Sequence, residues 1–287
     1  MYNRMKFICC DVLFRMACRA AARSRNIIDM EFTQLSSHTE PDVLRKQIQG
    51  LIDKADAEGV YEAILLGYGL CGNSTAGLAA RTQKLVIPRA HDCCTLFLGS
   101  REKFRTSFGE RLSSQWSSHG YLERSQEYKG GTDLDKSLGL DRDYAALVEQ
   151  YGEENAEYIW ETLHPAHNIG KDERIYIDVR PFDNDEDGDF HYKRFVAAVA
   201  AEAEGSPPKP AATDDAQPRH ADTAGAAGAA GAKPCEIQRI EGSTRLIDML
   251  LDGDWDAGDF LIVPPGMSIS PVYDMERVAI AASANSP

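Results

Sequence analysis

A continuous apolar run passes directly into a glycine-rich segment at Ala63-Ile64-Leu65-Leu66-Gly67-Tyr68-Gly69-Leu70-Cys71-Gly72-Asn73. Such a run predicts a strand of a sheet that is covered on both faces. Three further strands are predicted at Lys6–Cys10, Asn26–Gln34 and Lys84–Pro88, and the apolar stripe of Pro41–Glu58 predicts a crossover helix. This alternation predicts an α/β fold with a doubly wound, mostly parallel sheet, Rossmann-like or flavodoxin-like and three-layered.

The remaining elements are predicted from composition and apolar spacing. Helices are expected at Val12–Ser24, Ala76–Arg81, Asp92–Gly99, Tyr144–Leu163, Phe190–Glu204 and Ser243–Leu251, and strands at Arg174–Val179 and Phe260–Val263. If the first four strands lie in the order 2-1-3-4, strands one, three and four are neighbours.

One segment of low complexity divides the chain. Residues 205–233 contain no aromatic residue and no leucine, isoleucine or valine. They cannot bury enough apolar surface to offset the entropy of ordering. We therefore expect a main α/β domain over residues 1–204 and a disordered insertion over 205–233. A helix and a strand within 234–275 should pack back on the main domain, before a disordered tail over 276–287.

The charge balance excludes several classes of partner. The 287 residues contain 45 acidic and 31 basic side chains, for a net charge of −14. An acidic chain repels phosphate backbones, so we expect no nucleic acid partner. No apolar run approaches the roughly 20 residues of a membrane helix, and the arginine-rich start does not resemble a signal peptide. The seven cysteines lack zinc-ribbon spacing and indicate free thiols in a reducing, cytoplasmic protein.

The glycine-rich segment allows two interpretations. Gly67, Gly69 and Gly72 form a G-x-G-x-x-G motif between a predicted strand and a predicted helix, which with Asn73 would approach the phosphates of a nucleotide. Arg89 stands after the next strand, however, where a ribose-binding motif has an acidic residue. Alternatively, the glycines form a tight turn that positions Cys71 and Asn73 to contact a ligand.

Cysteines follow three of the predicted strands. Cys10, Cys71 and the pair His91 and Cys93 each lie at the carboxyl end of a strand, the edge where doubly wound sheets bind ligands. Thiols and an imidazole at neighbouring strand ends predict a metal site that holds zinc or an iron–sulfur cluster. Asp92 is a candidate catalytic residue, because its carboxylate could orient His91.

Two further cysteines, Cys9 and Cys94, lie next to the predicted metal ligands in the sequence. Cys9 should point to the opposite face from Cys10 and belong to the core. Whether Cys93 or Cys94 is the ligand stays open. The helix predicted after Gly72 would lower the pKa of Cys71 through its dipole.

Several segments resemble one family, that of domain of unknown function 1638 (DUF1638). They are residues 10–13, 67–73 and 88–93, with 151–156 and 259–266 resembling its second half. The resemblance implies that the matching thiols and His91 are family motif positions. Family members occur in anaerobes with corrinoid-dependent methyl transfer, which implies one-carbon metabolism. Around residues 113–120 the chain departs from the family pattern, because Trp116 and Gly120-Tyr121 replace its glycine-threonine-tyrosine and glycine-tryptophan stretches.

The residues and the resemblance together suggest a metal-binding α/β protein. It would be an enzyme, such as a metal-dependent methyltransferase, or an accessory factor of corrinoid-dependent one-carbon metabolism. Its cofactors would be zinc or an iron–sulfur cluster, with a corrinoid as a further candidate. Its partner would be a small-molecule substrate or a methyl-transfer protein, not a membrane. The alternatives are a non-catalytic metal or corrinoid carrier, and a nucleotide- or phosphate-binding protein that uses the Gly67–Gly72 loop.

Overall fold

The protein is described by a computed structural model over most of its length. The described residues are 2–35, 41–71, 73–108, 115–124, 173–180, 182, 189–205, 236–272 and 277–283. Gly72, the helix predicted at Tyr144–Leu163 and the insertion after Gly205 lie outside the described residues. Of the tail expected to be disordered over 276–287, residues 277–283 are described, and they contain a strand at Ala279–Ser283 that pairs with Met267–Pro271. The proposed division into domains therefore stays a prediction.

Seventeen elements are described, ten strands and seven helices. The strands are β1 Arg4–Cys10, β2 Ile27–Thr33, β3 Ala63–Gly67, β4 Lys84–Pro88, β5 Gln115–Ser118, β6 Glu173–Asp178, β7 Glu236–Glu241, β8 Phe260–Val263, β9 Met267–Pro271 and β10 Ala279–Ser283. The helices are α1 Phe14–Arg23, α2 Pro41–Glu58, α3 Cys93–Leu98, α4 Arg101–Phe108, α5 His119–Arg124, α6 Phe190–Gly205 and α7 Arg245–Asp252, and a 3-10 turn at Asp11–Leu13 precedes α1.

The central sheet confirms a mixed α/β fold with a mostly parallel sheet. Its strand order is β2-β1-β3-β4-β8, which is the order under which the sequence places strands one, three and four side by side. These four are parallel, and β8 joins the edge antiparallel to β4. Every residue of β3 is buried, as its continuous apolar run predicts. No helix among the described residues is long and apolar enough to span a bilayer.

Two helices from distant parts of the chain cover the sheet. In α2, Leu44, Ile48 and Ile52 are fully buried at helical spacing. Helix α7 contacts α1, β3 and β4, and buries Leu246, Ile247, Leu250 and Leu251 completely. Residues that follow the low-complexity segment thus complete the core of the amino-terminal half.

The sequence predicts one sheet, whereas the structure has two further β assemblies. Strands β5, β6 and β7 form a second parallel sheet in that order, and β9 and β10 form an antiparallel pair. In β7, Glu236-Ile237-Gln238-Arg239-Ile240-Glu241 has too few apolar residues to form the continuous run that signals a buried strand. The second sheet packs on α3, where Phe97 lies 5.9 Å from Trp116 between ring centroids.

The helix predicted at Ala76–Arg81 is wrong. Residues 73–77 form turns, and Gly77 has φ 82°, outside the helical region. The next backbone groups bond to other parts of the chain. The Ala79 N–H donates to the side chain of Gln49 at 2.9 Å, and the Ala80 N–H donates to the Met267 carbonyl at 2.9 Å. These partners replace the helical hydrogen bonds.

The burial of α7 leads to a stability prediction. Leu250→Ala should lower the free energy of unfolding by about 2–5 kcal/mol, because it leaves a cavity in the core. Ile262→Ala on β8 is the matched control, since that side chain is 42% exposed, and should cost roughly 1 kcal/mol or less. Urea unfolding followed by circular dichroism measures both. Equal losses would show that α7 is not part of the core.

Candidate functional site

The loops after β3 and β4 are joined to each other at the carboxyl edge of the sheet. The Leu70 N–H donates to the Ala90 carbonyl and the Cys71 N–H to the His91 carbonyl, both at 2.9 Å. Gly69 makes this close approach possible, because a Cβ there would lie 2.8 Å from the Ala90 oxygen. The glycine thus places Cys71 beside the start of α3.

The segment that carries Cys71 is a tight turn with unusual backbone angles. Cys71 has φ 45° and Asn73 has φ 69°, both in the left-handed region. The Ser74 hydroxyl donates to the Cys71 carbonyl at 2.7 Å, and Arg45 donates to the Asn73 carbonyl at 2.8 Å. These bonds compensate for the backbone strain and hold the turn in place.

Three of the predicted ligands, Cys10, Cys71 and Cys93, form one electrostatic cluster. Burial raises the pKa of Cys10, and the charge of Cys93 raises it further. Burial raises the pKa of Cys71 to about 12, and the charges of Cys10 and Asp92 contribute. Burial also raises the pKa of Cys93, and the charge of Cys71 contributes next. Each thiol therefore lies within electrostatic reach of another, as the strand order predicts.

Tyr121 belongs to this cluster and is missed by the sequence analysis. Its hydroxyl lies 2.6 Å from the Cys93 sulfur. Burial raises its pKa, and the charges of Cys93, Cys10 and Cys71 add to the effect. Helix α5 carries the tyrosine to this place because Gly120 packs against the carbonyl of Val12, in the turn after β1. The only signal in the sequence is the Gly120-Tyr121 pair itself.

His91 and Asp92 occupy different surroundings from the thiols. The Asp92 carboxylate accepts the Cys94 N–H at 3.0 Å and caps the amino terminus of α3. Burial raises its pKa. His91 lines a cavity of about 690 Å³, and Cys10, Cys71 and Cys93 are not among the described residues of the cavity wall. The His91 Nε2 atom is buried without a hydrogen-bond partner among the described residues.

The structure does not bring all four predicted metal ligands together. Within the described part of the chain, no three histidine, cysteine, aspartate or glutamate side chains form a group that could hold a metal ion. Cys9, Cys10, Cys93 and Cys94 are all buried in one hydrophobic core. Cys71 contributes to the raised pKa of Cys93, and the Cys93 sulfur contacts Tyr121. The choice between Cys93 and Cys94 as the ligand stays a prediction.

The glycine motif lacks the helix that a phosphate site requires. No helix occurs at residues 73–81, so its dipole cannot lower the pKa of Cys71, which burial instead raises. At Gly67 a Cβ would lie 2.7 Å from the Phe7 ring, so this glycine serves the packing of β3 on β1. Phosphate binding by Gly67, Gly69, Gly72 and Asn73 stays a prediction, with Gly72 outside the described residues.

A second titratable group that the sequence analysis missed lies at the start of α5. His119 is 1% exposed, with Phe182 stacked 4.9 Å away and Phe97 5.8 Å away between ring centroids. Neither of its ring nitrogens has a hydrogen-bond partner among the described residues. Burial lowers the pKa of His119 to about 3, and the charges of His191 and Arg15 contribute. The ring is therefore neutral at physiological pH.

Comparison with known proteins identifies one family. A family model described as "Protein of unknown function (DUF1638)" matches residues 32–199, more than half of the chain. No curated protein matches, and neither does any solved structure.

The loop contact at Gly69 leads to a stability prediction. Gly69→Ala should destabilise the fold by about 1–3 kcal/mol, because the added Cβ meets backbone that cannot move independently. Gly50→Ala is the matched control. Gly50 lies within α2 with open space around its Cβ position, so alanine should stabilise by about 0.5–1 kcal/mol. Denaturant unfolding checks both signs, and a neutral Gly69→Ala would contradict the described loop contact.

The buried histidine leads to a prediction about pH. The pKa of His119 is lower in the folded state than in the unfolded chain, whose histidines titrate near 6.5. The unfolded chain therefore binds more protons, and stability falls as the pH drops from about 6.5 towards 3. His119→Phe should reduce this loss of folding free energy by a few kcal/mol. Urea unfolding of both proteins at pH 7 and pH 4.5 measures it, and parallel losses would exclude His119 as the cause.

Proposed function

The chain belongs to the DUF1638 family of proteins of unknown function, and we propose that it binds a thiophilic metal ion or an iron–sulfur unit between Cys10, Cys71 and Cys93. The observation that carries the proposal is that three buried thiols, which follow β1, β3 and β4 in the chain, interact electrostatically with one another. Thiolates favour zinc, copper(I) and iron–sulfur units over magnesium or calcium.

The electrostatics of the three thiols favour the binding of a cation. Buried thiols with raised pKa values are poor nucleophiles at neutral pH, so they make an unpromising metal-free active site. A bound cation reverses this effect, because a coordinated thiol is deprotonated. Since the described side chains do not form a closed ligand group, the three thiols would have to close on the ion as it binds.

The number of thiols favours a reactive metal over a structural one. Structural zinc sites have four protein ligands, whereas catalytic sites have three and leave one position for substrate. His91, the predicted fourth ligand, lines the neighbouring cavity. The open position would therefore accept a substrate, such as a thiol that becomes a methyl acceptor. Corrinoid-dependent methyl transfer itself is supported by the family resemblance alone.

The location of the three thiols supports a Rossmann-like or flavodoxin-like fold. In doubly wound sheets, ligands bind outside the carboxyl ends of the strands, where the strand order reverses. In the order β2-β1-β3-β4 this reversal lies between β1 and β3. Cys10 ends β1 and Cys71 follows β3, on either side of it. A Rossmann-like or flavodoxin-like arrangement with its ligand at this point is therefore part of the proposal.

Metal content tests the proposal directly. Protein purified anaerobically should contain about one metal ion or cluster per chain by elemental analysis. Titration of metal-free protein with Co²⁺ should produce thiolate-to-metal charge-transfer absorption. Cys71→Ser should remove most of both signals, because a serine hydroxyl stays protonated and binds such metals poorly.

Cys18→Ser is the matched control, since Cys18 lies on α1 and is partly exposed. It should bind metal like the wild type. Metal-free wild-type protein that also fails to bind Co²⁺ or Zn²⁺ would refute the metal site, as would full binding by Cys71→Ser. If a fourth protein ligand binds the metal and prevents exogenous thiols from binding it, the result would favour a non-catalytic metal carrier over a metal-dependent enzyme.

A further inference from the structure

Tyr121 lies at the proposed metal site but belongs to helix α5, outside the loops that carry the thiols. Two contacts fix this helix to the segment after β1. Gly120 packs against the Val12 carbonyl, and Glu123 pairs with Arg15 of α1. The end of β1 therefore determines where the backbone of Tyr121 lies.

Aromatic side chains fix the ring of Tyr121. Trp116 meets it edge to face at 5.0 Å between ring centroids, and Phe97 lies 5.9 Å away. Phe97 is fully buried and follows Cys93 by four residues on α3, so the two share one face of that helix. A tyrosine ring that packs on Phe97 can therefore extend its hydroxyl to Cys93. The hydroxyl oxygen lies 2.6 Å from the Cys93 sulfur.

The sulfur is a weak partner for this hydroxyl unless it is charged. Within the described residues, the Cys93 sulfur is the hydroxyl's only hydrogen-bond partner. A phenol O–H is a good donor, whereas a neutral thiol accepts hydrogen bonds only weakly. Hydrogen bonds to an ionised group are roughly twice as strong as neutral ones. The contact therefore gains strength when Cys93 binds a metal, because a coordinated thiol is deprotonated.

We propose that Tyr121 is a positioning residue of the metal site, whose hydroxyl donates a hydrogen bond to the Cys93 sulfur and keeps it when this sulfur binds the metal. The inference rests on the proposed function. Groups that hydrogen-bond to metal ligands orient those ligands and tune the metal. Tyr121 would hold the Cys93 sulfur in place while the other two thiols close on the ion.

Cobalt binding tests the role of the hydroxyl. Tyr121→Phe removes the hydroxyl and keeps the ring that packs on Phe97. Without the hydrogen bond the thiolate lone pair rises in energy, so the thiolate-to-Co²⁺ charge-transfer absorption should shift to longer wavelength. The affinity for Co²⁺ should fall about tenfold or more. A wild-type spectrum and affinity in Tyr121→Phe would overturn the proposal.

Tyr61→Phe is the matched control. Tyr61 is 5% exposed, and its hydroxyl donates to Glu58 at 3.0 Å. It precedes β3, whereas Cys71 follows that strand at the opposite edge of the sheet. Tyr61→Phe should leave the absorption and the Co²⁺ affinity unchanged. Equal changes in the two variants would reflect the general loss of a tyrosine hydroxyl and would overturn the proposal.

Unfolding in the presence of EDTA examines the hydrogen bond without a metal. Urea midpoints are measured for Tyr121→Phe, Cys93→Ala and the double variant. Since the two side chains are in contact, the double variant should lose less than the sum of the single losses. The same cycle with Tyr61→Phe in place of Tyr121→Phe should be additive. Additive losses in the Tyr121 cycle would overturn the proposal.

The two measurements separate this inference from the proposed function. If wild-type protein binds no Co²⁺, the metal site and the positioning role fail together, even where the cycle shows the hydrogen bond. If wild-type protein binds Co²⁺ while the Tyr121 cycle is additive, the metal site stands and only the role of Tyr121 fails.

Discussion

The site depends on the backbone contact between the loops that follow β3 and β4. Two hydrogen bonds, Leu70 to Ala90 and Cys71 to His91, join the loops, and Gly69 permits them because any side chain would meet the opposite backbone. The contact holds Cys71 next to the start of α3, where Cys93 begins the helix. Without it, the ends of neighbouring strands would be close, but their thiols would not share one cluster.

The carboxyl edge of the sheet has two chemically different parts. One is the buried cluster of Cys10, Cys71 and Cys93 with Tyr121, whose groups burial keeps neutral. The other is the cavity that His91 lines, whose described wall includes five arginines and two carboxylates. The first part offers soft ligands for a cation, whereas the second is lined by charged side chains.

The first four strands and the longest described helix could be predicted because their signals are local. The apolar run of β3 and the stripe of α2 match the observed bounds, Ala63–Gly67 and Pro41–Glu58. Strands β5 and β7 could not be predicted, since their short, polar sequences become strands only by pairing with β6. Tyr121 could not be assigned to the site either, because it comes from an element that packs there through Gly120.

The sequence by itself determined the α/β class and the positions of Cys10, Cys71 and Cys93 after three of its strands, because apolar periodicity and chain position require only local information. Only the tertiary structure decided that the side chains of His91 and Cys93 lie in different surroundings. The two-residue spacing predicts that both side chains lie on the same side of an extended strand. In the structure, however, helix α3 begins at Cys93, and Asp92 caps its amino terminus. Strand alternation therefore stops between them. The histidine lines the cavity, and the thiol joins the cluster.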